Sequence, residues 1–77
     1  MKTDHTLDCV GLYCPMPIVN TNAEMKRIKV GEVLEVLSDD KGIAKDMPAW
    51  CKATGHQFVG VEEEKGQFKV YVKKMHN

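Results

Sequence analysis

The sequence predicts an α+β fold: a two-layer α/β sandwich in the order βαβαββ, with a mixed four-stranded sheet and two helices packed on one face. Three observations carry this prediction. Short β-prone runs stand at residues 6–10, 32–38, 57–63 and 67–73. Between the first three runs lie two stretches whose apolar residues recur every three or four positions, the period of a half-buried helix. Between the last two runs stands Lys65-Gly66, a short turn that closes a hairpin.

Each element has its own signal. In the first strand, Leu7 and Cys9 share one face, and Thr6, Asp8 and Val10 the other. Gly11-Leu12-Tyr13 is the turn that follows. The first helix carries Ile18, Thr21, Met25 and Ile28 on its inner stripe. Pro15 and Pro17 fit its first turn, where N–H groups lack intrahelical partners. It is expected to stop near Lys29, because Gly31 suits an exit. The second strand, with Val33, Leu34, Val36 and Leu37, reads as central in the sheet. Asp39 and Asp40 offer an N-cap to the second helix, and Ile43, Met47, Trp50 and Thr54 form its inner stripe. Pro48 predicts a kink or a split, with Asp46 capping a second start. Gly55 closes the helix. The third strand is expected to bury Val59 and Val61 and expose Glu62, or the reverse if a bulge intervenes. Two helices suffice for one face only, so the other sheet face is expected to be more open.

Composition narrows the function. Seventy-seven residues form one domain, residues 1–77, with no repeat or linker. A chain this short buries only ~60% of its unfolded surface, so its stability should be modest. Eleven basic residues balance eleven acidic ones, which argues against a nucleic-acid partner. No apolar run approaches a membrane span, and no signal-peptide core precedes Leu7. The expected compartment is the cytoplasm, where thiols stay reduced. Three irregularly spaced cysteines, Cys9, Cys14 and Cys51, make a poor disulfide framework.

Cys14 is the residue placed to react. It opens Cys14-Pro15-Met16-Pro17 at the mouth of the first helix, at the N-cap or the residue before it. The helix dipole presents roughly half a positive charge there and favours the thiolate. A thiol in such a place has its pKa drawn below the ~8.5 of free cysteine. Pro15 and Pro17 supply no N–H, so the Met16 N–H is the expected donor to the sulfur, and the two rings hold the sulfur outward. Met16 itself is expected to be exposed, a flexible thioether suited to a partner contact.

Residues 7–17, Leu-Asp-Cys-Val-Gly-Leu-Tyr-Cys-Pro-Met-Pro, resemble the signature L-D-x-x-G-L-x-C-P-x-P of the TusA (SirA-like) sulfur-carrier family. The likeness continues through Gly31-Glu32-Val33-Leu34, Asp39-Asp40, Asp46-Met47-Pro48 and Gly55-His56, to the hairpin before Val70-Tyr71-Val72-Lys73. The resemblance implies the same βαβαββ sandwich. It implies a sulfurtransferase acting as a persulfide carrier, with Cys14 as the persulfide cysteine and no cofactor. The sulfur would come from a cysteine desulfurase or a rhodanese. It would pass to an acceptor protein serving tRNA 2-thiouridine synthesis, cofactor synthesis or sulfur oxidation. A carrier that meets two partners in turn is expected to be a monomer.

Two other readings stand beside this one. Cys9 and Cys14 could form a thiol redox pair, if their Cα atoms lie within ~7 Å. Alternatively the domain is a non-catalytic interaction module. Cys9 and Cys51 otherwise read as small buried hydrophobes. His5, His56 and His76 show no metal-ligand spacing, so no metal is expected. Lys41 and Lys45 would make a basic rim if they lie at the Cys14 end of the sheet.

Overall fold

The computed structural model describes residues 3–13 and 15–76. Its elements are β1 (His5–Asp8), α1 (Met16–Met25), β2 (Val33–Ser38), α2 (Ile43–Thr54), β3 (Gln57–Glu64) and β4 (Gln67–Lys73). The order is the predicted βαβαββ. The strands lie β1-β2-β4-β3, with β1 parallel to β2 and the other neighbours antiparallel. Apolar β2 is central, as its composition requires.

The core lies between the sheet and the two helices. Leu34 and Val36 of β2 and Val70 and Val72 of β4 point to one face. They meet Met25 of α1 and Ile43, Met47 and Cys51 of α2, with Cys9 and Ile28 at the edges. Each such side chain taken from water contributes ~1.5–3 kcal/mol. Pro17 and Thr21 extend the buried stripe of α1. Thr21 Oγ1 donates to the Pro17 carbonyl at 2.7 Å, which satisfies a hydroxyl that is fully buried.

Several elements depart from expectation for local reasons. α1 ends at Met25, short of Lys29. The Lys26 and Arg27 N–H groups bond back to the Ala23 and Glu24 carbonyls, a tighter turn than the helix. Ile28 then drops into the core, and its carbonyl accepts from the buried Lys74 Nζ at 2.7 Å. Gly31 takes φ 92°, a left-handed turn into β2. α2 is one uninterrupted helix despite Pro48. A proline forfeits one intrahelical bond, and buried Met47 and Cys51 anchor the chain on both sides of it. Cys51, not Trp50, occupies the inner stripe; Trp50 packs at its flank. A register shift between Phe58 and Gly60 marks a bulge in β3, and neither expected pattern holds in full: Val59 is half-buried, Val61 is 40% exposed and Glu62 is exposed as well. Lys65 and Gly66 both take positive φ, 51° and 80°, as a two-residue hairpin turn demands.

The second sheet face carries no helix, yet it is not bare. Tyr71 is only 4% exposed there. Its hydroxyl donates to Glu62 Oε2 at 3.5 Å, and Thr6 Oγ1 donates to Glu35 Oε1 at 3.2 Å. Burial first, then the neighbouring Glu35 and Glu62 carboxylates, pushes the Tyr71 phenol up to about 12.

Edge strand β1 is fastened by Glu32. Its Oε1 accepts from the Lys29 N–H at 2.7 Å and lies 2.9 Å from His5 Nε2. The Lys29 N–H first, then His5, holds the Glu32 carboxyl below its ordinary 4.5. A lowered folded value means that the folded state favours the ionised form. The resulting stability is present above 4.5 and is lost as pH falls through the lower value. Wild type should therefore exceed Glu32→Gln in urea midpoint near neutrality, with the gap closing between pH ~5 and ~3. A gap independent of pH would contradict this assignment.

Candidate functional site

The sheet register decides which loops meet. Asp8 pairs with Leu37, and Ser38 pairs with Phe68, which in turn faces Glu63. The C-terminal ends of β1 and β2 therefore share one pole of the sheet with the β3–β4 turn. The β1–α1 loop, the β2–α2 loop and the hairpin tip emerge together there. Ligands in open α/β sheets commonly gather beyond the carboxyl ends of parallel strands.

Cys14 lies outside the described residues; its surroundings are built as follows. Asp8 Oδ1 accepts from the Val10 N–H at 2.9 Å, and the Leu12 N–H reaches the Cys9 carbonyl at 3.1 Å. Gly11 takes φ 87°, which an L side chain rarely adopts. Its N–H donates to Asp39 Oδ1 at 3.1 Å, tying this loop to the one after β2. The predicted aspartate cap of α2 is not found: the N-cap is Gly42, with no side-chain cap hydrogen bond, and Asp40 instead braces the turn before it. Its Oδ1 accepts from the Gly42 N–H at 2.9 Å, in the turn that opens α2. The N-cap of α1 is Pro15, with φ −97°, and its carbonyl accepts from the Val19 N–H at 3.0 Å.

The Met16 N–H donates to the Tyr13 carbonyl at 2.8 Å. The expected bond from this N–H to the Cys14 sulfur lies outside the described residues. Pro17 is buried against the core and Pro15 is exposed, so the two prolines stiffen different sides of the helix start. Met16 is exposed as expected, at 44%, and Tyr13 stands almost free of the protein at 82%.

The other thiols are poorly placed for chemistry. Cys9 and Cys51 are buried in the core. Burial raises the Cys9 pKa, opposed by a hydrogen bond with Asn20 and assisted by Asp8. Burial pushes the Cys51 thiol up to about 11. Both therefore hold their protons near neutral pH. His56 and His76 do come together, stacked with ring centroids 4.5 Å apart, but at the far pole. His5 is engaged with Glu32. Among the described residues, no three His, Cys, Asp or Glu side chains form a group able to hold a metal ion.

A groove of about 680 Å³ lies beside the β1–α1 loop, lined by Tyr13, Asp39, Asp40, Lys41, Glu63, Gly66 and Phe68. Lys41 thus lies at the Cys14 end, while Lys45 does not line the groove. Sequence reasoning missed Glu63 and Phe68, since only the long-range pairing of β4 with β2 brings them here.

Comparison with known proteins agrees with this arrangement. The profile of the family described as Sulfurtransferase TusA matches residues 5–74. A putative sulfur carrier protein, YrkF of Bacillus subtilis, is 53% identical over 64 residues, covering 83% of this chain and 35% of that protein. A putative sulfur carrier protein of Aquifex aeolicus is 42% identical, covering 96% of this chain and 38% of its own length. The chain therefore spans little more than a third of these two relatives. It spans 94% of a putative sulfur carrier protein of Archaeoglobus fulgidus, which is 44% identical and covers 90% of this chain. In structure, the SirA-like protein of Desulfitobacterium hafniense superposes with a TM-score of 0.81. The match covers 95% of this chain and all of that one at 22% identity, a likeness of fold. No helix among the described residues is long and apolar enough to cross a membrane.

Proposed function

Because the chain belongs to the sulfurtransferase TusA family, we propose that it carries sulfur as a persulfide on Cys14. The observation that carries this reading is the family match across residues 5–74, which includes Cys14-Pro15-Met16-Pro17. Supporting it, α1 begins at Met16, two positions after this cysteine in the chain, with Pro15 at its cap and no side-chain cap hydrogen bond among the described residues. The positive end of the helix dipole favours a thiolate next to it.

In the proposed cycle, the Cys14 thiolate attacks the outer sulfur of a donor persulfide. A new S–S bond forms, the donor's S–S bond breaks, and the donor leaves as a thiolate. An acceptor cysteine then repeats the exchange on the Cys14 persulfide. No net oxidation occurs, and no cofactor takes part. Pro15 and Pro17 position the loop, and exposed Met16 contacts the partner. The donor is a cysteine desulfurase or a rhodanese. The acceptor is a relay protein of tRNA thiolation, cofactor synthesis or sulfur oxidation, in the cytoplasm.

Mass spectrometry after incubation with a cysteine desulfurase and cysteine should show a gain of about 32 Da, one sulfur atom. Cys9→Ala should load equally well, because the burial and raised pKa of Cys9 favour a packing role over a redox one. No mass gain on wild type would overturn the carrier reading, and loss of loading in folded Cys9→Ala would favour the redox pair.

A further inference from the structure

At the base of the sheet, three rings stand in series. Trp50 of α2 stacks on His56, with centroids 5.5 Å apart and planes 26° from parallel. His56 stacks in turn on His76, at 4.5 Å and 7°. Two hydrogen bonds hold the arrangement. The Met75 N–H donates to His56 Nδ1 at 3.2 Å, and His76 Nε2 lies 2.7 Å from the Thr54 carbonyl. Gly55 lets the second contact form, since a Cβ there would stand 3.2 Å from His76 Nε2. The stretch after β4 is thus fastened to the end of α2. Sulfur transfer at Cys14 uses none of these groups.

The bonds assign the protons. A ring nitrogen that accepts from an amide carries no hydrogen, so His56 is neutral, with its hydrogen on Nε2. A carbonyl only accepts, so His76 Nε2 carries a hydrogen whatever the charge of that ring. A proton added to His56 must go to Nδ1, where it would face the Met75 N–H, donor against donor. The surroundings also oppose the charge. Burial first, then His76 and Lys74, holds the His56 pKa below its ordinary 6.5. Lys26 of α1 lines the same cavity as these groups, and among the described residues no carboxylate does. On the strand side, Gln57 pairs with Lys73, which adds another lysine and no acid.

We propose that Met75 and His76 form a strap released by acid: the ring stack holds them against α2 while His56 is neutral, and a proton on His56 Nδ1 frees them with the sheet intact. The inference is independent of the carrier reading. Release stops at Lys74. Its N–H donates to the Glu32 carbonyl at 3.0 Å, and its carbonyl accepts from the Gly31 N–H at 2.7 Å. Its buried Nζ donates to the Ile28 carbonyl at 2.7 Å. None of these bonds uses a group that titrates near neutral pH. Because the folded state lowers the His56 value, the hold is complete above 6.5 and is lost as pH falls through that lower value. The direction in which the chain leaves the base of the sheet changes with it.

NMR of the nitrogen-15-labelled 77-residue chain, titrated from pH ~8 to ~4.5, tests this. At the upper limit, His56 should carry hydrogen on Nε2 and none on Nδ1. As pH falls, the Met75 amide should shift with the midpoint of the His56 ring, below 6.5. Across that transition the Met75 order parameter should drop from about 0.85 to below about 0.6, while Val70 and Val72 of β4 stay rigid. His56→Asn does not titrate, so the mobility of Met75 should no longer depend on pH. His76→Ala removes both the stacked ring and a neighbouring charge, and should bring the His56 midpoint up toward 6.5. A hydrogen on Nδ1 at pH ~8 would overturn the proposal. So would a Met75 amide that ignores the His56 titration, pH-dependent release in His56→Asn, or loosening of Val70 and Val72 together with Met75. If either variant fails to fold, the wild-type tautomer and the shared midpoint decide the matter.

Discussion

Cys14→Ser is expected to reduce sulfur loading to background, while the urea midpoint stays within ~0.5 kcal/mol of wild type. The chemical argument is direct. A thiolate is both the attacking group and the atom that keeps the sulfur, and a serine hydroxyl neither ionises near neutral pH nor forms a persulfide. The structural argument concerns what else could substitute. Cys9 and Cys51 are the remaining thiols, and both are buried in the core with raised pKa values. Neither is offered to a donor protein. Intact-mass measurement after desulfurase treatment reads the outcome. A folded Cys14→Ser protein that still gains about 32 Da would transfer the role to another thiol.

Met47→Ala should cost 2–5 kcal/mol, about the range seen for such truncations in well-packed cores. Met47 is fully buried where α2 crosses the sheet, within the cluster of Leu34, Val36, Ile43, Cys51 and Val70. It also lies immediately before Pro48, where the helix has one backbone bond fewer to hold it together. A domain of this size is stable by roughly 4–12 kcal/mol, so the loss is a large share of the total. Urea unfolding at neutral pH measures it. A change below ~1 kcal/mol would show that the site collapses around the missing atoms, or that Met47 packs less tightly than its burial indicates.

The parts of the fold that were legible in the sequence are those fixed by local chemistry. Lys65-Gly66 names its own turn, and β4 matches the expected residues 67–73. Central β2 is announced by Val33, Leu34, Val36 and Leu37, and Gly55 by its left-handed closure of α2. What was not legible depends on contacts distant in the chain or on near-degenerate patterns. Trp50 and Cys51 follow Met47 by three and four positions, so helical spacing admits both; the smaller side chain fits inside. The bulge in β3 adds one residue to a strand, and alternation alone does not reveal which one. The Met16 N–H reaches the Tyr13 backbone carbonyl, a local partner that counting donors does not reveal. The Asp39 bond to Gly11 spans 28 positions, and its residue type suited a helix cap equally well.

The register of the strands has a consequence for how such a domain is used. His5, at the start of β1, pairs with Leu34, and Lys73, at the end of β4, pairs with Val33. Chain entry and chain exit therefore share the base of the sheet, opposite the β1–α1 loop, the β2–α2 loop and the hairpin tip. A covalent leash attached on either side hangs from that base and leaves the loops clear. The longer relatives from Bacillus subtilis and Aquifex aeolicus have nearly two-thirds of their length outside the match. The same unit can thus serve as a free shuttle or as the swinging head of a larger polypeptide, with the second arrangement raising the local concentration of sulfur at a tethered neighbour.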